Sequence, residues 1–213
     1  MKYNLLKNVL ELVEEFEIQA NVNIDINDFK SWIVANHSST SNEPNWEGKE
    51  KGRSPESVIN TLIVHMNRYA KNYSKSAVYG SDFSTQEDFI YLINLKAFGE
   101  MTKMELIKIN VHEKPAGMQI INRLIAQGWV NQQGSETDKR SKVLKITDRG
   151  LDVLEKQMDN IRKATEIVTG DLTHNEKMEL IRLLTKLNNF HQPIYEQNIE
   201  TGKLLSEALK FKN

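Results

Sequence analysis

The chain changes its hydrophobic period abruptly at Gly128. Before it, KPAGMQIINRLIAQG repeats apolar residues at helical spacing, with Ile120, Ile121, Leu124 and Ile125 on one face and Pro115 in the first turn. After it, Trp129 to Gln132 and Lys142 to Ile146 read as two strands of a hairpin turning around Gly134. The hairpin tip, GSETDKR, is charged, and Thr147 in TDRG caps a further helix. A helix that runs at once into a charged hairpin and then into another helix leaves few architectures open.

What stands upstream narrows them further. Ser84 with Glu87 and Thr102 with Glu105 read as capping boxes, and so does Thr173 with Glu176 farther on. The first opens the helix STQEDFIYLINL, which ends before Gly99, and the second opens the short helix TKMELIKIN. Residues 84–147 therefore run helix, short helix, helix, two-stranded hairpin, the order of a winged helix-turn-helix. Such a module can lay one helix in the major groove while the hairpin meets the neighbouring backbone or minor groove. Gly117 is unexpected in this scheme, because a glycine inside a helix costs about 0.5–1 kcal/mol against alanine.

The flanks are helical. Residues 3–18 form an amphipathic helix with Leu5, Val9, Leu12 and Phe16 on one stripe, which calls for a partner surface, and a short second helix carries Phe29, Trp32 and Ile33. Residues 37–54 are polar and interrupted by Pro44, Gly48 and Gly52, the composition of a linker, although Trp46 is unusual for a spacer. Ser54-Pro55 starts a helix whose apolar band includes Val58, Leu62, Met66, Tyr69 and Tyr73. The helix after Thr147 carries Leu151, Leu154, Met158 and Ile161, and Pro193 is expected to restart the last helical region before Leu204, Leu205 and Leu209. The expected division is a helical extension and linker (1–53), a long helix (54–80), the winged module (84–147) and C-terminal helices (148–213).

Composition excludes several classes. There are no cysteines, hence no disulfides, thiolate metal sites or thiol switches, and a reducing cytoplasm is the expected home. No stretch has the length and apolarity of a membrane span, and the N-terminus does not resemble a signal peptide. None of the five histidines makes an HxxxH pair or joins an acidic cluster, so no metal and no cofactor is expected. Nucleophile elbows, phosphate-binding glycine loops and dinucleotide fingerprints are missing, so no catalytic residue is assigned. Net charge is only -1, but residues 100–150 hold nine Lys/Arg against six Asp/Glu, while residues 1–50 hold four against nine. The basic surplus lies where phosphate would be met.

Together, STQEDFIYLINL, MTKMELIKI, INRLIAQGWV and TDKRSKVLKITDRG resemble the MarR (multiple antibiotic resistance regulator) family of transcription factors. The resemblance spans about residues 55–190. It is carried most specifically by Asp138, Arg140, Ile146, Thr147 and Gly150 in the hairpin and by Arg123, Leu124, Gly128, Trp129 and Val130 at the end of the recognition helix. It implies a mainly α fold, a winged helix-turn-helix with a two-stranded β-hairpin wing and long N- and C-terminal dimerisation helices. It further implies a homodimer on a pseudo-palindromic operator, often relieved by a small ligand. In this likeness Arg140 is the wing arginine directed into the minor groove, Asp138 orients it, and Lys114 stands where the recognition helix begins. Pro115-Ala116 and Met118-Gln119 depart from the family's hydroxyl and Ser/Thr-Arg pattern.

The expected DNA-binding set is Lys114, Ala116, Met118, Gln119, Asp138, Lys139, Arg140 and Lys142. As a mere surface ion pair, Asp138 and Arg140 would contribute only about 0–1 kcal/mol. A cation at Lys114 opposes the helix dipole, which suits a phosphate partner, and the Gln119 amide can read adenine. Arg123 is expected to bridge the recognition helix to its neighbours. His65, Met66, Tyr69 and Tyr73 read first as core or dimer-interface residues, and second as the candidate lining of a pocket for a small aromatic effector. The expected function is a DNA-binding regulator, most simply a repressor, with double-stranded DNA and a second copy as partners and no membrane. The alternative is a winged-helix module for protein–protein assembly.

Overall fold

A computed structural model describes residues 3–19, 25–36, 44–134 and 142–212. The chain forms two compact units, residues 1–58 and 59–213, and the division falls in the first turn of a long helix.

In the first unit, helices α1 (Asn4–Gln19) and α2 (Ile26–Asn36) pack through three rings. Phe16 lies 5.4 Å from Phe29 and 5.6 Å from Trp32, centroid to centroid. Phe16 alone of the expected α1 stripe is buried; Leu5 and Val9 stay exposed. The candidate linker is partly built. The Trp46 indole N–H donates to the Arg53 carbonyl (2.8 Å), the Lys49 ammonium sits 4.5 Å over the Trp46 ring, and a single 3₁₀ turn spans Lys49–Lys51. Gly48 and Gly52 bracket that turn at φ 86° and 81°, backbone that favours glycine.

The second unit holds the winged module. After α3 (Pro55–Ala77) come α4 (Gln86–Phe98), strand β1 (Met101–Thr102), α5 (Lys103–Ile109), α6 (Lys114–Ala126), β2 (Val130–Gly134), β3 (Lys142–Ile146), α7 (Asp148–Thr169), α8 (His174–Glu196) and α9 (Thr201–Leu209). Its core joins Tyr91 and Leu92 of α4, Leu106 of α5, Ile121 of α6, Leu144 of β3 and Leu154 of α7. Full burial of each such side chain stabilises by about 1.5–3 kcal/mol. The mainly helical winged fold matches the sequence reading, with one strand added. β1 pairs with β3 (Met101↔Leu144), so the antiparallel sheet runs β1-β3-β2 with β3 central. Two residues are too few to show alternation in a sequence.

Three local expectations meet their contacts. The Thr102 hydroxyl accepts from the Glu105 amide (3.2 Å) while the Glu105 carboxylate accepts from the Thr102 amide (2.7 Å). Thr173 and Glu176 do the same. The Thr147 hydroxyl caps α7 at Gly150 (3.0 Å).

Two are corrected. The cap of α4 is Thr85 with Asp88, one residue beyond Ser84 and Glu87: the Asp88 carboxylate accepts from the amides of Ser84 (2.8 Å) and Thr85 (3.1 Å). Asp88 is fully buried and held by Arg123, and that tertiary pair selects the capping carboxylate. Pro193 does not restart a helix either. It lies inside α8, and the break comes after Glu196, where Asn198 takes φ 50°. So late in the helix the missing proline N–H removes one bond, whereas the next residue, Ile194, is buried and Tyr195 is anchored by its hydroxyl.

Candidate nucleic-acid interface

Helix α6 is seated by its inner face. Ile120, Ile121 and Leu124 are buried, and Gly117 lies so close to α5 that a Cβ there would fall 2.4 Å from Ile107 Cγ1 and 3.0 Å from the Tyr91 hydroxyl. The glycine that propensity counts as a loss is what lets α6 meet α5 and α4. The clamp at the other end is ionic. Arg123 donates through Nε to Asp88 Oδ1 (2.9 Å) and through Nη2 to the same oxygen and to the Thr85 hydroxyl (3.3 Å). Arg123 is thus the bridge that the sequence suggested.

With that face fixed, the opposite one is dictated. Pro115, Gln119 and Asn122, at i, i+4 and i+7, are exposed along one line. Lys114 and Ala116 are exposed beside its start, and Met118 is half-buried with its side chain packed on the core. Asn122 was not singled out in the sequence. The buried set 117, 120, 121 and 124 identifies it by complement, because its neighbours on the helix surface are Gln119 and Pro115.

The turn before α6 is tied on two sides. The His112 ring lies between the Tyr91 hydroxyl (3.0 Å from Nδ1) and the Glu87 carboxylate (3.6 Å from Nε2). The Tyr195 hydroxyl of α8 donates to the His112 carbonyl (2.7 Å). Burial, with Glu87 nearby, pushes the Tyr91 phenol well up, and burial with Glu113 nearby raises Tyr195.

At the wing, β2 and β3 pair from Val130↔Ile146 to Gly134↔Lys142, and Lys142 is exposed at the distal end. Asp138, Lys139 and Arg140 lie outside the described residues. The base of the wing is braced by Glu100, whose carboxylate meets the Lys145 ammonium (2.9 Å) and the Gln133 amide (3.1 Å) and is held below the usual carboxylate range by both.

The candidate effector residues lie on α3. His65, Met66, Tyr69 and Tyr73 run along an exposed face of α3; Met66 is 42% and Tyr69 52% exposed. His65 and Tyr69 meet edge to face at 6.4 Å. A cavity of about 370 Å³ opens instead farther along α3, between Lys71, Lys75 and Val78 and the start of α4 from Ser84 to Glu87. Those lysines were not anticipated, since nothing in their spacing separates them from a solvated helix face.

The fold is a winged helix-turn-helix domain, with a β2–β3 wing, a three-stranded sheet and helical flanks. Residues 81–141 match the model of the MarR family. The HTH-type transcriptional repressor NicR of Pseudomonas putida is 26% identical over 103 residues, 48% of this chain. The match spans 65% of that repressor, just under two thirds of its length. A mutant MarR from E. coli in complex with operator DNA superposes with a TM-score of 0.55 at 25% identity, over 61% of this chain and 92% of its own. BpsR of Bordetella bronchiseptica, whose DNA binding is regulated by 6-hydroxynicotinic acid, shares the fold with a TM-score of 0.57 at 18% identity, over 64% of this chain and 96% of its own. Among the described residues, no helix is long and apolar enough to cross a membrane.

Proposed function

We propose that the protein is a transcriptional repressor that binds a pseudo-palindromic operator as a homodimer. The observation that carries the reading is the outward line of α6: an exposed cation at Lys114 leads into Gln119 and Asn122, two exposed amides one turn apart. A carboxamide can bond adenine N6 and N7 in the major groove, and a lysine at a helix start suits a phosphate. Lys142 and the wing residues Asp138, Lys139 and Arg140 extend the contact toward the minor groove, and Ala116 offers a methyl to thymine. Met118 contributes at most an edge, since its side chain is engaged by the core.

Dimerisation is supported by unspent apolar surface. Leu180, Leu183, Leu184 and Leu187 form a helical stripe on α8 that stays exposed, 48% at Leu184. Leu62, Met66 and Tyr69 do the same on α3. Contiguous apolar faces of this kind mark protein–protein surfaces. Two-fold pairing would set the recognition helices about one DNA turn apart, 10–10.5 bp. Relief by a small anionic aromatic ligand fits the cavity beside Lys71 and Lys75, whose ammonium groups suit a carboxylate or phenolate. Such a ligand acts only if it binds the DNA-competent and incompetent dimers with different affinity.

Fluorescence anisotropy on duplex from the protein's own upstream intergenic region, across a salt series, tests the reading. Specific binding should weaken steeply with salt, at a log–log slope of about -0.9 per phosphate neutralised, and Arg140→Ala should lose most of it. No binding to any duplex at low salt would move the protein to the assembly class.

A further inference from the structure

Helix α6 begins three residues after a strained backbone position. Val111, in the turn between α5 and α6, takes φ 51°. That left-handed conformation suits glycine or asparagine, and a β-branched residue holds it only where its surroundings leave no alternative. Those surroundings are visible. On the upstream side the Asn94 amide donates to the Asn110 side-chain oxygen (2.9 Å), and the Asn110 amide donates to the Leu106 carbonyl (2.7 Å). On the downstream side His112 is fixed at both ends, its ring by Tyr91 of α4 and its carbonyl by Tyr195 of α8.

The Tyr195 bond is of a different kind from the rest. It joins residues 83 apart in sequence, and it comes from a helix that lies outside the helix-turn-helix. Ile194 beside it is buried, so the end of α8 is seated firmly enough to act as a support. The same helix carries the exposed leucine stripe about two to four turns earlier. Next to His112, Glu113 caps α6 without any side-chain bond to it, so the start of α6 is held by the backbone of the turn and by the packing at Gly117.

We infer that Tyr195 is a positioning residue for DNA recognition: through the His112 carbonyl, the C-terminal end of α8 holds the strained Val111 turn and thereby sets the pose of α6. The inference rests on the DNA-binding reading above. Movement of α8, as on repacking of its leucine stripe, would reach the start of α6 through this bond. The hydroxyl touches no outward residue of α6, so its effect on DNA is entirely indirect.

Tyr195→Phe keeps the ring and removes the bond. The DNA-free full-length variant should show amide exchange accelerated about tenfold at residues 110–117, with the amides of Leu92, Leu95 and Leu154 unchanged. Affinity for the upstream intergenic duplex should fall about tenfold, while affinity for a random duplex stays within twofold, because phosphate contacts are less dependent on pose than base contacts. Unchanged exchange at 110–117, specific affinity within twofold of wild type, or equal loss on both duplexes would each overturn the inference. A wild-type protein that binds no duplex defeats the regulator reading instead, and the exchange comparison alone then decides whether Tyr195 holds the turn.

Discussion

Gly117→Ala sets two physical effects against each other, and the structure decides between them. On propensity alone the change should stabilise α6 by about 1 kcal/mol. The new methyl, however, would lie 2.4 Å from Ile107 Cγ1 and 3.0 Å from both Ile107 Cδ1 and the Tyr91 hydroxyl. Ile107 and Tyr91 are buried, so neither can swing clear. Overpacking of this kind costs about 1–3 kcal/mol, and α6 must shift outward by roughly an ångström to restore contact distance. Subtracting the propensity gain leaves a net destabilisation of up to about 2 kcal/mol. Gly202→Ala is the matched control, since its methyl meets nothing within 4 Å in α9 and should stabilise by about 0.4–1 kcal/mol. Urea unfolding followed by far-ultraviolet circular dichroism, at constant m, measures both. Ile107→Ala removes the obstructing atoms, so the double variant should lose less than the sum of the singles. A Gly117→Ala protein as stable as wild type, or additive with Ile107→Ala, would refute the close-approach argument.

Other perturbations follow from the same contacts. Arg123→Leu strands the buried Asp88 carboxylate and should cost about 3 kcal/mol in urea unfolding, more than any exposed pair such as Arg182–Glu179. The carboxylates of Glu105 and Glu176 are held below the ordinary value of 4.5 by the amides and hydroxyls of Thr102 and Thr173. Their stabilisation is therefore complete above about pH 4.5 and is lost as pH falls through the lowered values, so Thr102→Val combined with Thr173→Val should flatten the acid limb of a stability profile. Tyr91 is shifted the other way, upward from 10, so its contribution is complete below pH 10 and declines above it; Tyr91→Phe should remove that alkaline decline. Asn122→Ala should relax base preference with little change in salt slope, whereas Lys114→Ala should reduce the slope by about one phosphate, both read by anisotropy.

The parts of the molecule that were legible in its sequence are those fixed by local chemistry. Period, caps and turn residues placed α6, the hairpin and the Thr102 and Thr173 boxes, because each depends on neighbours within four positions. What depends on distant partners was hidden. The cap of α4 moved to Thr85 and Asp88 because Arg123, 35 residues on, binds that carboxylate. Pro193 stayed helical because Ile194 and Tyr195 are anchored elsewhere. Gly117 read as a defect until Ile107 was seen behind it. At the candidate interface, Lys114 followed from family likeness, Gln119 from its amide chemistry, Asn122 only from knowing which face is buried, and the lysines of the cavity only from the approach of α3 to α4.

The pairing of β1 with β3 has a consequence for how this domain comes apart. Met101 opposite Leu144 closes the chain into a ring that contains α5, α6 and β2, with two short backbone segments as its clasp. Neither α5 nor α6 can swing far from the wing while the clasp holds, and the wing cannot peel from its root without dragging β1 along. The winged domain therefore has few ways to open piecemeal. Outside the Val111 turn, its amides from the clasp to the far end of α6 should exchange with solvent in a single cooperative event, and the wing's angle to the helix should be inherited unchanged by whatever larger motion carries the domain.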